Sequence, residues 1–139
     1  MDYAIAQALA LTPASTAADR TIEVTTKGRR SGLPHRIEIW FYRVGDTNYL
    51  TGMPGFTSEP DWYQNLLATP QFTVHLKHGV RADLAAIARP VTDGDERRRV
   101  FESVVADLNQ PANPGRIVQP TTVQAWLEGS VLLKIAFGD

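Results

Sequence analysis

Cysteine is absent from the 139 residues of this chain. Its absence excludes disulfide bonds, thiolate-held iron–sulfur clusters, thiol catalysis and cysteine-ligated zinc. An excess of charge of one sign is also missing, because 14 lysines and arginines face 15 aspartates and glutamates and leave a net charge of −1. A near-neutral surface does not attract nucleic acid as a whole. We therefore expect no nucleic-acid partner and only local binding of anions.

Long apolar runs are missing as well. No run approaches the roughly 20 residues that a transmembrane helix needs, so we expect no integral membrane contact. The opening segment, MDYAIAQALALTP, lacks the basic start of a signal peptide and predicts a short amphipathic helix over about 2–11. With no cysteine, these features favour a cytoplasmic protein. The length suits one core, and we predict a single domain over residues 1–139.

Alternation of apolar and polar residues predicts six strands, and apolar stripes at helical spacing predict three helices. The strands are expected at about 22–26, 35–44, 49–51, 72–78, 80–89 and 130–137, and the helices at 2–11, 61–69 and 93–108. Segments 11–20, 52–60 and 109–122 are expected to be loops. Ser58 is the expected cap of the second helix and Thr92 that of the third. This order predicts a mainly β (α+β) fold, an antiparallel barrel flanked by helices.

Positive charge is concentrated in TTKGRRSGLPHR, residues 25–36, where five of the twelve residues are basic. Backbone N–H groups of a glycine-bearing turn can converge on an anion, and arginine or lysine side chains add charge-assisted hydrogen bonds to phosphate. The same letters also suit an ordinary solvated hairpin. From the residues alone, an anion site and a plain hairpin both remain open.

Three stretches together, TTKGRRSGLPHRIEIWF, YLTGMPG and PDWYQNLLATPQFTVHL, resemble the deazaflavin-dependent nitroreductase family. The resemblance covers residues 21 to about 90. It implies a split β-barrel related to FMN-binding and pyridoxamine-oxidase-like proteins. It also implies coenzyme F-420, a deazaflavin, as the cofactor. The implied activity is that of an oxidoreductase that transfers hydride from reduced deazaflavin to an activated alkene, a quinone or a nitro compound.

The resemblance also implies the site residues. In that family the basic turn holds the coenzyme phosphate, and the matching candidates here are Lys27, Gly28, Arg29, Arg30, Ser31, Gly32 and Pro34. The loop after the third strand lies along the ring, which points to Thr51, Gly52, Met53 and Gly55; Met53 replaces a usual lysine. Trp62 and Tyr63 border the pocket or simply pack in the core. Any proton is expected from solvent, Tyr42 or Tyr63, because Trp40 stands near the position of a usual tyrosine.

Other interpretations stay open. An FMN-binding flavoprotein has the same fold, and a barrel that binds a cofactor or another ligand without turnover is the second alternative. Ser31 has no general base nearby in the sequence, and His75 and His78 do not share a strand face, so neither a nucleophilic serine nor a metal site is expected. Asn65 is expected to join a local hydrogen-bond network. The expected partner is a small-molecule substrate, with a homodimer as an option.

Overall fold

The structure, a computed structural model, describes residues 1–55, 58–116 and 120–138. Within these ranges the chain forms seven strands rather than the predicted six, and five helices rather than three. The strands are β1 (Thr21–Lys27), β2 (Pro34–Trp40), β3 (Tyr42–Val44), β4 (Thr47–Thr51), β5 (Gln71–Leu76), β6 (Ala82–Pro90) and β7 (Leu132–Phe137). The helices are α1 (Tyr3–Leu9), α2 (Ala17–Arg20), α3 (Asp61–Ala68), α4 (Gly94–Asn109) and α5 (Val123–Gly129).

All seven strands belong to one antiparallel sheet in the order β2-β1-β5-β6-β7-β4-β3. The two edge strands, β2 and β3, are consecutive in the chain and are separated only by Phe41. Consecutive Cα atoms are about 3.8 Å apart, so the ends of the two edges must lie within a few ångströms of each other. The sheet therefore curls until its edges meet at Phe41, which gives the split barrel that the resemblance implies.

The predicted strand 35–44 is divided into two strands at Phe41. Its side chain is buried, and its N–H donates to the carbonyl of Arg20 at 3.0 Å, which extends the β1–β2 register by one pair. The apolar alternation continues through this corner, so the pattern alone carries no sign of the break.

The core has two parts. The inside of the barrel is filled by aliphatic side chains of several strands, among them Val24, Leu50, Val74 and Leu133. A second cluster lies between the sheet and the two C-terminal helices and includes all five residues predicted to face inward from α4: Val100, Phe101, Val104, Val105 and Leu108. That prediction is confirmed.

Helix α2 lies in the predicted loop 11–20, and helix α5 lies between the predicted loop 109–122 and the predicted strand 130–137, where no element was predicted. Both are short and held by their caps: Thr16 and Asp19 form a capping box at α2, and Thr122 accepts from the N–H of Ala125 at α5. Four and seven residues are too few to show a helical period, which is why the sequence pattern missed them.

Helix caps and ends also differ in detail from prediction. Pro60 rather than Ser58 occupies the N-cap position of α3, and Asp93 rather than Thr92 caps α4. The first helix spans 3–9 and is capped by Asp2. Parts of the predicted loops 52–60 and 109–122, namely residues 56–57 and 117–119, lie outside the described ranges. None of the helices in the described ranges is long and apolar enough to cross a membrane.

Candidate functional site

The basic turn, residues 27–34, is the hairpin connection between β1 and β2. Lys27 pairs with Pro34 at the end of the ladder, and the N–H of Gly28 donates to the carbonyl of Leu33 at 2.8 Å. The N–H of Gly32 returns to the carbonyl of Gly28 at 2.8 Å, with a φ of 70° at Gly32 that favours glycine. The turn is thus a closed hairpin with a fixed shape.

Gly28 lets the turn fold onto its own side chains. A Cβ at this position would lie 2.5 Å from Nε2 of His35 and 2.6 Å from Oγ of Ser31. The Ser31 hydroxyl accepts from the N–H of Leu33 at 3.1 Å and lies 3.4 Å from Nε2 of His35. Ser31 and His35 are therefore held on the inner side of the turn, close to the Gly28 backbone.

Arg29 ties the turn to α3. Its backbone N–H and its Nη1 both donate to Oδ1 of Asn65 at 3.1 Å, and its Nη2 lies 3.2 Å from Oδ1 of Asp61. Asn65 is buried, and its amide donates to Oγ1 of Thr26 at 3.2 Å. The expected hydrogen-bond network of Asn65 is present, and it joins the turn, the strand and the helix.

The internal bonds decide how the turn meets an anion. The N–H groups of Gly28, Arg29, Gly32 and Leu33 are all used within the protein. Among the described residues, Arg30 and Lys27 have no carboxylate partner. The positive charge available to a ligand therefore comes from side chains rather than from a ring of backbone N–H groups.

A cavity of about 230 Å³, the turn cavity, opens beside the hairpin. It is lined by Gly28, Arg29, Arg30, Ser31, His35, Asp61 and Asn65. Four of the seven candidates of the basic turn are thus brought together around one space. The other three, Lys27, Gly32 and Pro34, lie outside this lining in the part of the chain that the structure describes.

A larger cavity of about 790 Å³, the wide cavity, lies next to the turn cavity. Four ring-side candidates line it, Thr51, Gly52, Met53 and Trp62, and Asp61 borders both spaces. The other described lining residues are Ile39, Ser58, Glu59, Pro60, Glu128, Gly129, Ser130 and Val131. A side pocket of about 250 Å³ shares Ile39 and residues 51–53 and adds Trp40, Tyr42, Leu108 and Gly115. The wide cavity thus shares lining residues with each of the other two spaces.

The two tyrosine candidates have different surroundings. Tyr42 lines the side pocket, and burial raises the pKa of its hydroxyl to about 12. Tyr63 packs edge-on against Trp62, with ring centroids 6.2 Å apart, and belongs to the rim of the core rather than to the described lining of these cavities. Burial raises the pKa of Tyr63 too. Gly55, the remaining candidate, has a φ of 101° in the loop and is also outside the described lining.

Ser130 is a residue of the wide cavity that the sequence did not point to. Its N–H donates to the carbonyl of Trp126 at 3.0 Å, and its carbonyl accepts from Nη2 of Arg97 at 3.2 Å. Its side-chain Oγ is buried and has no hydrogen-bond partner among the described residues. The sequence predicted that a strand begins at residue 130, whereas Ser130 caps the end of α5. In this position it lines the wide cavity.

The fold defines a class: a split β-barrel related to FMN-binding and pyridoxamine-oxidase-like proteins, here with a cavity beside a basic hairpin. The sequence model of the family described as "F420H(2)-dependent quinone reductase" matches residues 13–116, well over half of the chain. The chain belongs to this family. Coenzyme F-420 is the cofactor of the family, and its members are reductases that depend on this coenzyme.

Solved structures show the same fold at low identity. A conserved hypothetical protein, Rv2991, from Mycobacterium tuberculosis matches with a TM-score of 0.63 and 19% identity over 100% of this chain and 82% of that chain. A putative 5-nitroimidazole antibiotic resistance protein from Bacteroides thetaiotaomicron matches with a TM-score of 0.62 and 13% identity over 99% of this chain and 81% of that chain. An F420-H2 dependent reductase, FDR-A, matches with a TM-score of 0.52 and 16% identity over 84% of this chain and 94% of that chain. No curated protein gives a significant match.

Proposed function

We propose that this chain binds coenzyme F-420 across the turn cavity and the wide cavity and reduces a small molecule there. The observation that carries the proposal is that Asp61 lines both cavities, which makes them neighbours. The turn cavity offers the Arg30 side chain, which has no described carboxylate partner, and the wide cavity offers apolar side chains beside three carboxylates. An elongated ligand with an anionic chain and a flat ring matches both cavities.

The residues at the turn fit a phosphate group. Arg30 and Lys27 carry charge that no described carboxylate neutralises, and Ser31 and His35 add polar atoms beside the glycine backbone. A side chain at residue 28 would occupy the space between Ser31 and His35. We assign the phosphate to the side chains of Arg30 and Ser31, beside the space that Gly28 leaves open, and we assign to Arg29 the role of holding the turn on α3.

The residues of the wide cavity fit a flat aromatic ring. Met53, Trp62 and Ile39 offer apolar surface, and Gly52 leaves room, since a Cβ there would meet no atom within 4 Å. Thr51 is held in place by its hydroxyl, which donates to the carbonyl of Val131 at 2.5 Å. This wall orients the ring between β4 and the segment before β7.

Reduced deazaflavin supplies a hydride when bound. The chain itself binds and orients the two reactants, with Ile39, Met53 and Trp62 as the apolar surface against the ring. Tyr42 is the preferred proton donor over Tyr63, because it lines the side pocket next to residues 51–53. With a pKa of about 12 its hydroxyl stays protonated at neutral pH and is a weak acid. It therefore donates a hydrogen bond to a substrate oxygen and does not release its proton freely.

A quinone is the preferred substrate, ahead of a nitro compound or an activated alkene, because the family to which the chain belongs is one of quinone reductases. The test is a parallel titration with F-420, FMN and FAD, followed by turnover of a naphthoquinone with reduced F-420. We expect binding of F-420 at about 1 μM, close to −8 kcal/mol, and weaker binding of FMN. Tighter binding of FMN would support a flavoprotein on the same fold instead.

The second candidate is a barrel that binds the coenzyme without turnover. The weakness of the available proton donor favours this candidate. Tyr42 is the one tyrosine in the described lining of the three cavities, and it is a weak acid. F-420 binding with no substrate reduction would support this candidate. The organisation as one domain over residues 1–139, the cytoplasmic location and the homodimer option remain predictions.

A further inference from the structure

The outer face of the sheet carries a chain of hydrogen bonds that the coenzyme site does not use. Oγ1 of Thr25 lies 2.7 Å from Nε2 of His75, and Nδ1 of His75 lies 2.7 Å from Oδ1 of Asp83. None of the three residues belongs to the described lining of the turn cavity or the wide cavity. The neighbouring Thr26, which accepts from Asn65, points to the opposite face of β1. The hydrogen-bonded chain is therefore separate from the site described above.

The strand registers hold these three side chains together, because they come from the adjacent strands β1, β5 and β6. His75 is directly opposite Asp83. Thr25 is directly opposite Thr73, which is two positions before His75 on the same face of β5, so Thr25 and His75 are diagonal neighbours. The His75 ring is buried and bonded through both nitrogens, whereas Thr25 is half-buried and in contact with solvent.

The carboxylate fixes which nitrogen of the ring carries the proton. An ionised aspartate can only accept, so Nδ1 of His75 donates to Asp83. In the neutral imidazole Nε2 is then an acceptor, and the hydroxyl of Thr25 donates to it. A hydroxyl bonded to an imidazole that a carboxylate orients is the arrangement that activates a hydroxyl nucleophile.

A cation lies beside the Thr25 hydroxyl. Arg36 on β2 is directly opposite Thr25 in the strand pairing. Its Nε donates to Glu23 at 2.6 Å, and its two Nη atoms have no hydrogen-bond partner among the described residues. A guanidinium at this position can donate to the negative oxygen that forms when a hydroxyl attacks a carbonyl carbon.

We propose that Thr25 is a nucleophile that accepts an acyl group from small activated esters, at a second site on the outer face of the sheet. Oγ1 of Thr25 forms a bond to the carbonyl carbon of the ester, and its proton passes to Nε2 of His75. The bond between that carbon and the leaving oxygen then breaks, and His75 returns the proton to the leaving alcohol. The products are an acyl-threonine and the free alcohol; a water molecule that His75 activates in the same way then releases the carboxylic acid. Asp83 is a positioning residue that holds the His75 ring.

The test uses p-nitrophenyl acetate and the full chain without coenzyme, so that its outcome does not depend on F-420. Release of p-nitrophenolate gives the rate, and mass spectrometry after acid quenching locates the acetyl group. We expect the acetyl group on Thr25, and Thr25→Val should remove it and lower the rate by about tenfold or more. Thr25→Ser keeps a hydroxyl and should keep the activity. The matched control is Thr73→Val, because Thr73 is directly opposite Thr25 and has no bond to His75; it should change neither readout.

Two further variants separate the chemistry from packing. His75→Gln should lower the rate of acetylation by about tenfold to a hundredfold, because it removes the general base. The side chain of Asp83 is 76% exposed, so Asp83→Asn should leave the melting temperature unchanged. It should still lower the rate by at least about tenfold, because an amide that donates to Nδ1 places the ring proton on Nε2, where it faces the Thr25 hydroxyl. Asp83→Glu should restore part of the rate.

Three results would overturn the inference. The first is no acetylation of the wild type, or acetyl groups only on residues other than Thr25. The second is an equal rate for the wild type and Thr25→Val. The third is an equal rate for the wild type and a folded Asp83→Asn variant, since the His75 ring would then act without its carboxylate.

Discussion

Three cations of the basic turn have different surroundings although they lie within four residues of each other. Arg29 is bonded to Asn65 and Asp61 on α3, and Arg30 lines the turn cavity without a described carboxylate partner. Lys27 is exposed, outside the cavity lining, with its chain toward Gly32. The turn curls around its glycines, so successive side chains point in different directions and cannot all reach one phosphate.

Substituting these three residues by alanine should therefore give three different results. Arg30→Ala should weaken F-420 binding by about 1.5–3 kcal/mol with little change in stability, because it removes a charged hydrogen bond to the ligand. Lys27→Ala should cost about 0.5 kcal/mol or less, as for an exposed charge. Arg29→Ala should lower the free energy of unfolding as well as affinity, because it loosens the turn from α3. Titrations and urea unfolding of each variant give both numbers; three equal losses of affinity would contradict this assignment.

Gly28 and Gly32 should respond differently to alanine. At Gly32 the φ of 70° makes a side chain strained, and the expected loss of stability is about 1–2 kcal/mol. At Gly28 the new Cβ meets the ends of two side chains, Ser31 and His35, which can move at small cost. Gly28→Ala should thus keep most of the stability and lose affinity for the phosphate. Gly94→Ala, in open space at the start of α4, is the neutral control; a Gly28 variant with unchanged affinity would remove this glycine from the site.

At the scale of elements, the buried ion pair of Arg20 and Asp107 joins the end of α2 to α4. Arg20 is 2% exposed and also donates to the carbonyls of Thr12, Pro13 and Ser15. Asp107→Asn leaves the guanidinium without its counter-charge in a buried place, which should lower the free energy of unfolding by about 3 kcal/mol. Glu102→Gln on the same helix should change it by less than about 0.5 kcal/mol. Similar urea midpoints for the two variants would contradict this account.

Acid should weaken the pairing of β1 with its neighbours. Glu23 accepts from Lys77 at 2.8 Å and from Arg36 at 2.6 Å, and these bonds lower the pKa of its carboxyl from 4.5 to about 2. A carboxyl with a lowered folded-state pKa contributes stability above pH 4.5 that is lost as pH falls toward 2. The melting temperature of Glu23→Gln should therefore depend less on pH in this window than that of the wild type. If the melting temperatures of the two proteins fell equally as the pH is lowered from 4.5 toward 2, the role assigned to Glu23 would be contradicted.

Long elements were predictable from the sequence and short ones were not. The five inward residues of α4 follow from its helical spacing, and most strands follow from alternation. Helices α2 and α5 are set by caps at Thr16 and Thr122 rather than by a periodic pattern. The corner at Phe41 interrupts an apolar alternation that continues through it, so no local signal marks it.

At the scale of the whole molecule, the sequence indicated separate pieces of the site but not their connection. The basic turn and residues 51–53 stood out because their composition is unusual and resembles a known family. The positions of Asp61 and Ser130 depend on the packing of α3 against the sheet and of α5 against α4. Such contacts between distant segments follow from the whole fold, which local patterns do not encode.

The central claim is that one ligand spans the turn cavity and the wide cavity. A thermodynamic cycle tests it most directly: wild type and Arg30→Ala are each titrated with F-420 and with the same deazaflavin lacking its phosphate. We expect the wild type to lose about tenfold to a hundredfold in affinity when the phosphate is missing, and Arg30→Ala to bind both ligands about equally weakly. Arg30→Ala that still prefers F-420 by the wild-type factor, or no binding of F-420 at about 100 μM, would contradict the claim.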